Sequence, residues 1–175
     1  VGEAALPTLV PRLMEDLASP SSPVERAGAA QALAEACHTL GAARTRQRLQ
    51  HTLRLQRGES CAGREGLLWL LSFLPAALGD AFCPYVEGTL PVILSAFADD
   101  DDGVREVCLR AGTMLVSALG TEHPALLLAP LQTGLFSVQW RARQGATTLL
   151  GELLSRVGGA TGTEDWDEDE DVYEP

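Results

Sequence analysis

An arginine, an apolar stripe and a glycine recur four times at one fixed length. Arg26 and Gly41, Arg64 and Gly79, Arg105 and Gly120, and Arg143 and Gly158 are each fifteen residues apart, and the arginines follow one another at 38, 41 and 38 residues. The columns between them agree in chemistry. Three residues after the arginine stand Ala29, Leu67, Cys108 and Ala146; at six, Ala32, Leu70, Ala111 and Leu149; at seven, Leu33, Leu71, Gly112 and Leu150. At ten stand Ala36, Leu74, Leu115 and Leu153, and at fourteen Leu40, Leu78, Leu119 and Val157. Offsets of three, six, seven, ten and fourteen share one face of an α-helix, and each following glycine stands where a left-handed cap would end it.

A period near forty that repeats one buried helix predicts a stack of helix pairs rather than a single globular centre. The expectation is an all-α fold, a HEAT/armadillo-type α-solenoid of about four helix pairs over 1–160, with repeats near 1–41, 42–79, 80–120 and 121–158. Each inner helix carries a repeat arginine, and an outer helix precedes it. Leu6, Leu9, Val10, Leu13, Met14 and Leu17 form the first outer helix with Pro11 inside it; Phe82 to Ala98 form the third with Pro91 inside, and Pro124 to Phe136 the fourth with Pro130 inside. An internal proline removes one backbone donor and bends the helix. In HEAT repeats generally, an acidic residue in the turn before the inner helix pairs with such arginines as a ladder. Here Glu59 and Asp100 stand five residues before their arginines while Ser21 and Val138 hold that place in the other copies, so the ladder is predicted to be partial.

The second outer helix, about 42–56, differs from the others. Arg44, Arg48, His51 and Arg54 gather on one face, with Arg46 and Arg57 beside them. In a chain of formal charge −11, this is the feature best suited to phosphate, and guanidinium groups along one helix can track a nucleic-acid backbone. A solvated face, or a partner for the acidic tail, explains the same residues. That tail, 161–175, holds eight of the 24 acidic residues and no basic one, and is expected to be disordered.

Catalytic chemistry is not indicated. His38, His51 and His123 fall in different elements, no phosphate-binding glycine loop is present, and no cofactor or metal is expected. Cys37, Cys61, Cys83 and Cys108, at intervals of 24, 22 and 25, read as small buried apolar residues. The run Asp99–Asp102 lacks the alternation of a calcium loop and reads as favourable charge at a helix start. Trp69 with Phe73, and Trp140, read as packing residues, while a contact role is open for Arg141. The first twenty residues lack the pattern of a signal peptide, and the run Leu67–Leu78 is short for a membrane span and contains Pro75, so a soluble intracellular chain without membrane contact is expected.

Ordered stretches across all four repeats carry a resemblance. They include Leu135-Phe136 with Trp140-Arg141-Ala142-Arg143, then Leu149-Leu150-Gly151-Glu152-Leu153-Leu154 and Gly159-Ala160-Thr161-Gly162. Pro84-Tyr85-Val86 with Leu90-Pro91-Val92-Ile93-Leu94, Leu109-Arg110-Ala111-Gly112, and Gly28-Ala29-Ala30-Gln31 point the same way. The chain resembles the family of large HEAT-repeat translational activators of the initiation-factor-two-alpha kinase, in their central region similar to the HEAT part of elongation factor three. The resemblance implies a cytoplasmic, ribosome-associated, noncatalytic scaffold in the amino-acid starvation and ribosome-stalling response. It implies the ribosome as partner, and the kinase as partner through parts of the full protein outside this chain; contact with ribosomal RNA rests on the charge of the basic helix, in which this chain departs from the family pattern. A HEAT adaptor that binds only proteins is the alternative.

Overall fold

The computed structural model describes residues 8–20, 22–40 and 60–161. Over these residues the chain forms seven α-helices and one 3-10 helix: α1 (Leu9–Ala18), α2 (Pro23–Leu40), α3 (Cys61–Leu78), the 3-10 segment Gly79–Tyr85, α4 (Val86–Ala96), α5 (Asp102–Leu119), α6 (Pro124–Gly134) and α7 (Trp140–Thr161). No strand occurs among the described residues. The stretch expected to form the second outer helix, about 42–56, and the tail beyond Thr161 lie outside them.

The four helices that carry the repeat arginines, α2, α3, α5 and α7, form one row, each packed on the next, and α1, α4 and α6 lie beside it. One apolar cluster runs without interruption from Val10 and Leu17 to Leu149 and Leu153. This is the arrangement expected of a solenoid, in which a helix face too apolar to stand alone is covered by its neighbours. The repeat columns are filled best in the middle of the row. Leu67, Leu70, Leu71 and Leu74 of α3 and Cys108, Ala111, Leu115 and Leu119 of α5 are all at most 4% exposed, whereas Ala32 of α2 is exposed and Leu150 of α7 half-buried. The middle helices have a row neighbour on both sides, which accounts for the difference. It also accounts for the apolarity of Cys61–Ala96, a stretch long and apolar enough to cross a membrane by composition alone, half of which is buried inside the stack.

Local chemistry sets the helix starts. The Ser60 hydroxyl accepts from the Gly63 amide at 3.3 Å, and Asp101 accepts from Val104 at 3.1 Å, each satisfying a donor that the first helical turn leaves free. Asp102 adds negative charge in the first turn of α5, so the acidic run does serve that helix start. Pro124 opens α6, where its missing amide costs nothing.

Several boundaries differ from the sequence expectation. Gly79 has φ +53°, a conformation that a side chain would oppose, and its amide reaches back to Pro75 O; it is a true stop. Gly120 is not in a left-handed cap, since its φ is −64°. A β-carbon there would stand 2.5 Å from Val116 O and 3.1 Å from Leu153, so close packing explains the glycine. Gly158 lies inside α7, which runs on to Thr161, and Gly41 falls outside the described residues. The third outer helix begins as a 3-10 segment holding Pro84, and regular α-helix starts only at Val86. Pro11 is the third residue of α1, within the first turn whose amides have no intrahelical acceptor, and therefore interrupts nothing. Pro91 and Pro130 are genuinely internal.

Candidate functional site

The repeat arginines gather along one edge of the row, and two of them tie adjacent repeats together. Arg26, only 5% exposed, donates through Nη2 to Glu65 Oε2 at 2.6 Å and through Nη1 to Ser19 O at 3.0 Å. Arg64 forms a two-pronged contact with Asp99, at 2.6 and 2.9 Å, and Asp99 also accepts from the Asp101 amide at 3.0 Å. The Arg64 guanidinium holds the Asp99 carboxyl below the usual carboxylate range, against the opposing effect of burial. The other two arginines serve their own turns. Arg105 donates to Asp99 O and pairs with Asp102, while Arg143 donates to Ser137 O at 2.8 Å and Val138 O at 3.1 Å.

The ladder is thus partial, as expected, but its acids are Glu65 and Asp99. Asp100 is exposed, and Glu59 lies outside the described residues. In the third copy, position in the column therefore misidentified the partner by one residue, Asp100 for Asp99. Glu65 is the residue after a repeat arginine, and its neighbour across the junction is Arg26, 39 residues earlier.

Glu65 also links the edge to a ring cluster. Its Oε1 accepts from Trp69 Nε1 at 3.1 Å; Trp69 stacks on Phe73 with centroids 6.1 Å apart, and the Arg110 guanidinium of α5 lies 5.2 Å from the Trp69 ring. Both rings are partly buried against the core, so packing describes them, with a cation at their outer side. Trp140 departs from expectation. It is 58% exposed, and the Arg141 guanidinium stands 5.0 Å over its ring.

Beside the row, α4 and α6 enclose an apolar groove of about 900 Å³, lined among others by Pro91, Leu94, Leu126, Pro130 and Phe136. Each helix places its internal proline in this groove, and the carbonyl four residues before each, Glu87 and Leu126, receives no amide from that proline. The groove ends at the α6–α7 turn, where Phe136 is 85% and Val138 96% exposed. Exposed apolar residues next to a groove suit protein contact better than catalysis.

The cysteines are not uniformly buried. Cys37 and Cys108 are, and Cys108 donates to Ile93 O at 2.9 Å, but Cys61 is exposed and Cys83 half-buried. Cys83 faces Asp80 and His123, the one group of mixed metal-binding donors among the described residues. Burial, with Asp80 adding to it, pushes the Cys83 thiol up, away from a reactive thiolate. Arg44, Arg48, His51, Arg54 and Arg57 lie outside the described residues.

Residues 26–158 match the family model described as EF3 N-terminal HEAT repeat. The chain is 37% identical over 164 residues to the eIF-2-alpha kinase activator GCN1 of Dictyostelium discoideum, a match covering 94% of this chain and 6% of that protein. It is 38% identical over 164 residues to the stalled ribosome sensor GCN1 of Homo sapiens, covering 93% and 6%. With the eIF-2-alpha kinase activator GCN1 of Saccharomyces cerevisiae it shares 36% over 170 residues, covering 97% and 6%. The chain therefore spans a small part of the relatives it matches. The matched span begins at the first repeat arginine and ends at the last repeat glycine, and on that ground the chain belongs to the EF3 N-terminal HEAT-repeat family.

Proposed function

We propose that this chain is a noncatalytic scaffold segment of a ribosome-associated protein that senses stalled ribosomes and activates the initiation-factor-two-alpha kinase. The observation that carries this reading is the match to GCN1 proteins of three organisms at 36–38% identity over 93–97% of the chain. The role is one of presentation: a row of helices held at fixed spacing by Arg26–Glu65 and Arg64–Asp99 offers a long surface whose shape is set by its junctions. Such a protein works in the cytoplasm on ribosomes, and it reaches the kinase through parts of its length outside this chain.

Ribosome contact is assigned to the basic helix. Arg44, Arg48, His51, Arg54 and Arg57 supply the positive charge that a phosphate backbone demands, in a chain that is otherwise acidic. The second reading, a surface for proteins alone, is favoured by the apolar groove between α4 and α6 and the exposed Phe136 and Val138 at its end.

Co-sedimentation with ribosomes separates the two. The full 175-residue chain should pellet with ribosomes at low salt, less at moderate salt, and the triple variant Arg44→Glu, Arg48→Glu, Arg54→Glu should remain in the supernatant. Equal failure of both proteins to pellet would remove the ribosome contact from this segment and leave the groove as its working surface.

A further inference from the structure

The edge where the row helices end, away from the arginine ladder, carries a different grouping. Asp80 and Cys83 lie three residues apart in the 3-10 segment that follows α3, and a helix of three residues per turn sets such side chains on one side. His123 comes from the turn after α5, at the N-cap of α6. Its Nε2 lies 2.9 Å from Asp80 Oδ1, and one nitrogen, one sulfur and one oxygen donor all stand within 4.8 Å of one another. The Asp80 side chain is 85% exposed and that of His123 34%, so the grouping opens to solvent, with Cys83 beneath it.

We propose that Asp80, Cys83 and His123 form a binding site for a zinc-type transition-metal ion that clasps the α3–α4 turn to the α5–α6 turn. The donor set carries the assignment: an imidazole with a thiolate and a single carboxylate suits zinc and its borderline-soft relatives, whereas calcium and magnesium take all-oxygen sets. His123 binds through its Nε2 lone pair with its ring proton on Nδ1, so the proton that Nε2 shares with Asp80 in the empty site moves through solvent to Nδ1 or is released; Asp80 donates a carboxylate oxygen, and Cys83 binds as thiolate, releasing its proton to solvent. The existing His123–Asp80 contact is exchanged for two bonds to the ion, and a fourth position is left for water. These donors join turns 43 residues apart in sequence. An ion here fastens the ends of α3 and α5 much as Arg64 and Asp99 fasten neighbouring repeats at the helix starts.

Cobalt(II) titrated into the full chain tests the site. The expected result is a thiolate-to-cobalt charge-transfer band that saturates at one equivalent and is displaced by zinc. Cys83→Ser should abolish the band, and exposed Cys61→Ser should leave it intact. His123→Asn and Asp80→Asn, both at turn positions, should each weaken zinc binding by about tenfold or more while leaving the metal-free helical signal unchanged. A band that survives Cys83→Ser, a band that Cys61→Ser removes, no band at stoichiometric cobalt, or zinc affinity indifferent to His123→Asn would each overturn the proposal.

Discussion

The junction between α2 and α3 and the junction between α5 and α7 join equivalent helices by different means. At the first, a buried arginine and a buried glutamate meet at 2.6 Å, with the Arg26 Nε buried and without a hydrogen-bond partner. At the second, the equivalent arginine, Arg105, bonds its own turn, as the exposed Arg143 does in the next copy, and the contact is made by apolar fit: Leu149 fills the place that a side chain on Gly112 would take, and Phe97 of the α4–α5 turn lies against Gly145. One sequence column thus serves two ends. Where the neighbour offers a carboxylate the arginine locks a junction; where it does not, the arginine closes the turn before its own helix.

The largest effect should come from breaking the buried lock. Glu65→Ala strands Arg26 in a buried site and should cost about 3–5 kcal/mol in denaturant unfolding, whereas Arg143→Ala at the other end should stay within about 0.5 kcal/mol. Combining Arg26→Met with Glu65→Leu should return most of the loss, because well-packed apolar groups of similar size replace such pairs without penalty. If Glu65→Ala and Arg143→Ala unfold at the same denaturant concentration, the distinction between the junctions fails.

Overfilling the apolar junction should rank next. A β-carbon on Gly145 would stand 2.3 Å from the Phe97 ring, itself 8% exposed, so Gly145→Val should destabilise by about 1–3 kcal/mol and lower the melting temperature. Gly151, whose β-carbon would meet nothing within 4 Å, provides the contrast: Gly151→Ala should stabilise α7 slightly.

A smaller loss than either of these belongs to the intermediate junction, Arg64–Asp99, where the arginine side chain is 35% exposed and water screens the pair. Asp99→Asn should cost about 1 kcal/mol at neutral pH. Because Arg64 lowers the Asp99 pKa in the folded chain, this contribution is fully present above the unfolded value, about pH 4, and drains away as pH falls through the lower folded value. Unfolding curves of the parent and Asp99→Asn should therefore converge on acidification; a constant gap would assign the loss to packing.

Much of the fold was legible along the chain. The forty-residue period, the apolar columns and the helix starts at Asp101 and Pro124 are local: they depend on 3.6-residue periodicity and on donors within one turn. Legibility ended where a residue's role depended on what lay across a junction. Gly120 and Gly158 occupy the same column as Gly79, yet Gly79 alone of the three turns to positive φ, because Gly120 is required by Leu153 and the end of α5, and α7 simply continues through Gly158. Trp140 follows the expected start of α7, but its exposure depends on what the α6–α7 turn leaves uncovered.

The sequence by itself determined that this chain is a solenoid of arginine-led helix pairs in a known family, since repetition and helical periodicity are written residue by residue. Only the tertiary structure decided that Glu65 and Asp99 complete the ladder, that prolines from two helices share one groove, and that Asp80, Cys83 and His123 meet. Those meetings depend on the rotation between successive helix pairs. That angle comes from side-chain packing summed over whole faces, and no single stretch of the chain encodes it.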